Sequence, residues 1–263
     1  MVTQPAGAES GVSFATQPVI EVRDGANTRV NTAELVTATI TSGAGTLAGT
    51  TTVAANHGVA QFTNLVIAGS GAFVITFTSP ASSSGSSVSF TVTQVVRQLV
   101  IATQPGGAVS GANLAPQPTV SLRDQAGLVV STATNAVTAT VASGPGVLGG
   151  TTTVNAVGGV ASFATLKITG AGAHTLTFGS AGAPSATSAS FAIVAAAATQ
   201  LVVVTQPAAA TESGVAFPTQ PVVEIQDATN TKVAGATNVV TATLASGSGT
   251  LSGTTWTVRR PSR

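Results

Sequence analysis

Apolar residues fall at every second position in short runs along this chain, and the runs return in the same order about every hundred residues. After Pro18, Ile20 and Val22 alternate with Val19, Glu21 and Arg23. After Pro118, Val120 and Leu122 alternate with Thr119, Ser121 and Arg123, and after Pro221, Val223 and Ile225 alternate with Val222, Glu224 and Gln226. The first set of each run stays apolar in all three copies while the second varies, as expected of a strand with one face on a core. The VTAT runs behave alike: Val36, Ala38 and Ile40 face in with Thr37 and Thr39 out, and Val137, Ala139, Val141 and Val240, Ala242, Leu244 repeat the pattern. Phe62 and Phe163, Phe77 and Phe178, and Phe90 and Phe191 occupy matching places and are predicted core residues. Phe73 shares the inward parity of Ile75 and Phe77, which favours core over an exposed platform for sugar rings.

In the complete middle repeat, seven strands are predicted near 98–104, 118–124, 136–142, 151–155, 159–168, 173–179 and 187–194, separated by Gly, Pro, Asn and Ser turns. No stretch has a helical period with caps. Seven short strands in about 100 residues predict an all-β fold of tandem immunoglobulin-like β-sandwich domains. Thr3-Gln4-Pro5, Thr103-Gln104-Pro105 and Thr205-Gln206-Pro207 mark the repeat starts. They divide the chain into a first repeat at 1–96, whose opening strand is truncated, a complete second at 97–199, and a partial third at 200–263. From about Trp256 the third repeat gives way to an aberrant tail with Arg259, Arg260 and Arg263, which reads as a fragment of a longer gene with a frameshift near its end. With its later strands missing, the third repeat is expected to expose inward residues such as Val223, Ile225 and Val240.

Charged residues are 6% of the chain and its net charge is +1, so the basic face that nucleic-acid binding needs is absent from the sequence. There is no cysteine, which excludes disulfides and thiolate metal sites. No apolar run reaches the roughly 20 residues of a membrane helix, so no membrane insertion of this segment is expected.

Asp24, Asp124 and Asp227 recur at the end of the second strand and are the only candidate metal ligands. A calcium ion takes six to eight oxygen ligands, and Asp124 is the one acidic residue of the second repeat, so capping of a turn is the expected role and no cofactor is expected. His57 and His174 fall at different repeat positions, His174 matching Phe73, and neither has the partners of a triad or metal cluster. Both are expected to be lone exposed or strand-end histidines. The glycines of 43–49 and 144–150 lack the Lys of a phosphate loop and read as turns.

The order QPVIEVRD (17–24) or QPTVSLRD (117–124), VTAT, SGAGTLAGT (42–50), GVAQFTNL (58–65) and TLTF (175–178) resembles that of bacterial immunoglobulin-like repeats, including those of invasin and intimin adhesins. The resemblance covers nearly all of the chain and implies an extracellular or cell-surface location. It implies a spacer or stalk segment of a surface or secreted protein, possessing no catalytic residues, in a monomeric segment of a longer chain. The alternatives are a module binding an extracellular glycan or protein through loops at one end of a sandwich, and an accessory array of a larger secreted enzyme.

A fold built on apolar burial alone makes a prediction. The melting temperature of the second repeat should be unchanged by chelator or reductant. A rise of more than about 5 °C in millimolar Ca²⁺ would instead show that Asp124 belongs to a metal site.

Overall fold

A computed structural model describes residues 1–209, 212–233, 236–253 and 256–257. Every regular element among them is a β-strand. The third-repeat tail beyond Thr257, with its three arginines, lies outside the described residues.

The first repeat is a two-layer sandwich. One layer runs in the order Ala8–Glu9, Phe90–Thr93, Gly71–Ser79, Leu35–Ser42, Thr52–Ala54, with Ser82–Ser86 folded onto Gly71–Ser79. The facing elements are two pairs, Val19–Glu21 with Val59–Gln61 and Gly45–Ala48 with Val66–Gly69. The second repeat reproduces this arrangement as Ala108–Val109, Phe191–Val194, Gly172–Ser180, Ala136–Ser143, Thr153–Asn155, with Ala183–Thr187 on Gly172–Ser180. Opposite it lie Gln98–Thr103, Thr119–Arg123 and Val160–Ser162, and the pair Val147–Gly149 with Lys167–Thr169. Even the irregularities match: the ladder slips between Ile40 and Ser42 in one repeat and between Val141 and Ser143 in the other.

Two apolar cores result. One gathers Phe14, Val36, Phe62, Leu65, Ile67, Phe73, Ile75 and Phe77; the other Leu114, Val120, Leu122, Val137, Phe163, Leu166, Leu176 and Phe178. In each, a tilted aromatic pair bridges the layers, Phe62 with Phe77 at 5.3 Å and Phe163 with Phe178 at 5.5 Å between ring centroids. Ala38 stands opposite Phe77, and Ala139 opposite Phe178, on the neighbouring strand. A small residue beside a large one lets the layers interdigitate without overpacking.

The all-β tandem sandwich is as the alternation predicts, with refinements. The expected strand at 159–168 is two strands, Val160–Ser162 and Lys167–Thr169, and the short elements Ala108–Val109 and Ala183–Thr187 are additional. The glycine stretches 43–49 and 144–150, expected as turns, each hold a strand, Gly45–Ala48 and Val147–Gly149, paired with Val66–Gly69 and Lys167–Thr169. Ser121, at outward parity, is buried because its strand is central, with Val100 on one side and Val160 on the other. Phe73 lies wholly inside the first core. In the third repeat Gln200–Thr205 pairs with Val222–Gln226, and Val239–Val240 with Trp256–Thr257. The exposure expected of Val223, Ile225 and Val240 is not seen: pairing with Gln200–Thr205 and Trp256–Thr257 leaves Ile225 buried and Val223 and Val240 half-buried, while Leu201, Val203, Val222 and Val239 are exposed.

The glutamine of the second QP dipeptide acts as a clamp. The Gln117 side-chain amide donates to the carbonyls of Leu114 and Leu166, and its Oε1 accepts from the Leu166 N–H at 3.0 Å. Gln17 makes the same three bonds with Phe14 and Leu65. The glutamine of TQP ties the start of the repeat to the segment leading into its last strand: Gln4 accepts from the N–H of Val88, and Gln104 from that of Ala189.

The packing sets a magnitude. Phe163→Ala removes one ring of the bridging pair and should cost about 3–5 kcal/mol in denaturant unfolding of the second repeat. A loss below about 1 kcal/mol would contradict this account of the core.

Candidate functional site

The three recurring aspartates head the same turn. In each, the aspartate carbonyl accepts from the N–H three residues on, and its N–H bonds the carbonyl four residues on. The residue at the bend, Asn27, Gly127 or Asn230, has φ of 64°, 80° or 61°, a left-handed conformation that Gly and Asn adopt at least cost. The Oδ1 atom caps the turn: Asp24 accepts from the N–H groups of Ala26 and Thr28, Asp124 from Leu128, and Asp227 from Thr229 and Thr231. The three lie in different repeats. Among the described residues no three His, Cys, Asp or Glu side chains stand close enough to hold a metal ion.

Their burial differs. Asp24 is exposed, whereas Asp124 and Asp227 are each 0% exposed. The second oxygen accounts for the difference, because a neighbouring repeat covers it. Oδ2 of Asp124 accepts from Nε2 of Gln94 at 2.8 Å, and Oδ2 of Asp227 accepts from the N–H of Ala196 at 3.2 Å. Burial pushes the Asp227 carboxyl up. The hydrogen bonds from the Thr229 hydroxyl and from the N–H groups of Thr231, Thr229 and Ala196 together outweigh this, leaving it below the usual carboxylate range.

An ion pair stands beside Asp124. Arg97 reaches back to the first repeat and donates from Nε and Nη2 to the two carboxylate oxygens of Glu9 at 2.7 and 2.8 Å. This two-pronged geometry is the strongest a surface pair can adopt. The Arg97 hydrogen bond holds the Glu9 carboxyl below its ordinary value, against partial burial and the nearby negative charge of Asp124.

Of the histidines, His57 is exposed and bonds Asn56 through Nδ1. His174 departs from the expected exposed or strand-end histidine: it is 0% exposed, filling the core place that Phe73 holds in the first repeat. Its Nδ1 bonds the carbonyl of Gly172 and its Nε2 the N–H of Gly146, both at 3.0 Å. A carbonyl can only accept and an amide only donate, so the proton sits on Nδ1 and both ring nitrogens are satisfied. The match with Phe73 was the sequence signal for this burial.

An open groove of about 560 Å³ lies on the outer face of the second repeat, lined by Asn135, Ala136, Thr138, Thr140, Thr177, Gly179, Ser180 and Ala181. It holds no ionisable or aromatic side chain. Hydroxyls of this face bond one another across strands, Thr138 with Thr153 and Thr177 with Thr187, so their hydrogen-bonding capacity is largely used. A smaller hollow of about 300 Å³ lies at the junction of the first two repeats, between Gln94, Val95, Val96, Val130 and Gly182.

No known family model and no curated protein matches the chain. Solved structures do. The D00–D0 domains of intimin are 14% identical over 73% of this chain and 98% of that one, with a TM-score of 0.40. Domains 4–9 of the surface layer protein SbsC are 16% identical over 90% of this chain, with a TM-score of 0.32, and this chain spans about a third of that structure, 34%. A β-glycosidase from Bacteroides vulgatus is 13% identical over 73% of this chain and 24% of that one, with a TM-score of 0.32.

The ion pair predicts a titration. Because its folded pKa is depressed, Glu9 contributes stability above the unfolded value and loses it as the pH falls through the folded one. Its carboxyl carbon should titrate by NMR with a midpoint below the free value of about 4.3, and Arg97→Ala should move the midpoint upward. A midpoint unchanged by that substitution would mean that the pair does not form in solution.

Proposed function

We propose that this chain is a spacer segment of a bacterial surface or secreted protein, built of immunoglobulin-like repeats related to those of intimin and invasin, that sets the distance at which something else is displayed. The observation that carries this reading is the direction of the short early strand that pairs with the last one. Ala8–Glu9 pairs parallel with Phe90–Thr93, with Ala8 opposite Val92. Ala108–Val109 pairs parallel with Phe191–Val194, with Ala108 opposite Ile193. Because this early strand and the last one run parallel, the chain passes each sandwich from one end towards the other. Each repeat therefore adds its long dimension to the array rather than doubling back.

The same geometry suits a load. Pulling the ends apart loads this parallel ladder in shear, so its bonds must fail together and not one after another. Ser10 and Ser110 extend the ladders, each donating its N–H to the last strand at 2.8 Å, to Thr93 and Val194 respectively. The groove offers serine and threonine hydroxyls but no ionisable side chain that could activate one.

Single-molecule extension of the full chain tests this. The first two repeats should unfold as separate events, each releasing on the order of 300 Å of chain at about 3.3–3.6 Å per residue. Substituting Pro for Val109 should lower the force of one event only, since it disturbs the parallel ladder of the second repeat alone. Extension without discrete events, or no difference between wild type and the Val109→Pro chain, would refute a load-bearing spacer.

A further inference from the structure

Both junctions between repeats are built from the same parts. On one side is a Ser-Gly loop that follows the short strand paired with the last one, Ser10-Gly11 after Ala8–Glu9 in the first repeat and Ser110-Gly111 after Ala108–Val109 in the second. On the other is the aspartate turn of the next repeat. Gly11 lies so close to the Asp124 turn that a Cβ on it would come within 2.3 Å of the backbone nitrogen of Ala126. A Cβ on Gly111 would come within 2.7 Å of the Thr229 side chain in the Asp227 turn. Both glycines have positive φ, 76° and 81°, so no other residue fits the loop without strain or collision.

Around this contact each junction adds its own bonds. The first has Gln94 on Oδ2 of Asp124 and the Glu9–Arg97 pair. The second has the Ala196 N–H on Oδ2 of Asp227 and a hydroxyl cluster in which Ser110 Oγ stands 3.1 Å from both Thr229 and Thr231. The individual contacts differ, but one geometry recurs: Oδ1 of the aspartate holds its own turn, and Oδ2 holds the linker arriving from the preceding repeat. Asp24 has the identical turn, yet among the described residues nothing bonds its Oδ2.

From this we infer that the aspartate turn is a docking surface for another repeat of the same kind, reading its Ser-Gly loop and linker, and that the carboxylate fixes the orientation of neighbouring sandwiches. The turn of Asp24 is the open copy of that surface, and its partner is the Ser-Gly end of a further repeat. The inference rests on the spacer reading, since an orientation lock is what turns a string of sandwiches into a stiff rod. Without a lock, relative motion of neighbouring domains is the default.

The absence of cysteine makes the test direct. Spin labels placed on the outer strands by Thr39→Cys and Thr140→Cys in the full chain report the distance distribution across the first junction. Wild type should give one narrow distribution. Gln94→Ala removes the linker bond without touching the turn, and Asp124→Ala removes both; each should broaden the distribution roughly twofold as domain motion is released. Asp24→Ala, which loses only the turn cap, should leave it unchanged. If Gln94→Ala and Asp124→Ala match wild type, or if Asp24→Ala broadens the distribution as much as they do, the lock is overturned. The open surface is read in a chain extended by one further copy of residues 1–102 joined to Thr3. Labels across the new junction should give a narrow distribution that Asp24→Ala of the acceptor repeat broadens. A distribution equally wide with and without Asp24 overturns that part. Loss of the lock would leave the unfolding events under force in place, so the two readings fail separately.

Discussion

Each sandwich depends on one aromatic pair that crosses its middle, Phe62 on Phe77 and Phe163 on Phe178. With charged residues at 6% of the chain and no cysteine, neither ion pairs nor disulfides can supply much stability. Burial of apolar surface between two sheets must do so. The pair dictates its surroundings. Ala38 and Ala139 are small because each stands directly opposite a phenylalanine on the next strand, and the ladder slips just beyond them at matched positions. Ile75 and Leu176 continue the same strand face into the core.

Around that core, polar residues satisfy backbone and one another more than they face outward partners. Gln17 and Gln117 bond three backbone groups each where the chain crosses between sheets. Threonines of the outer faces pair across strands. What remains for contact with another body is concentrated at the ends, where a turn headed by a carboxylate meets a loop stripped to glycine. The division of labour is a property of the repeat: the middle of the sandwich makes it stable, and its ends make it stackable.

Much of this was legible in the sequence because strands with one buried face write a period of two. The runs at Val36–Ile40 and Val137–Val141 could not be read otherwise, and the structure places them as read. Strands without a buried face leave no such trace. Ser82–Ser86 and Ala183–Thr187 are made of Ser, Gly, Ala, Pro and Thr, and only their partner strand reveals them. Ser121 shows the opposite failure, because parity cannot report that a central strand is covered on both flanks. The junctions were half visible. The aspartate recurs in sequence, but the role of its second oxygen depends on Gln94 and Ala196, which share no motif.

The exchange of Phe73 for His174 bears on how neighbouring near-copies keep apart while folding. Tandem repeats of similar sequence invite misassembly, in which a strand of one takes the place of its twin in the next. Gly71–Ser79 and Gly172–Ser180 have matching length, register and inward pattern, and among their buried residues the exchange of Phe73 for His174 is the one change from apolar to polar. A phenylalanine carried into the second sandwich would strand the Gly146 amide that His174 Nε2 satisfies. A histidine carried into the first would arrive in a pocket shaped around a benzene ring, in which Phe73 fills the space beside Gly43 and Gly45. One buried imidazole thus gives each sandwich a private password for its own strand.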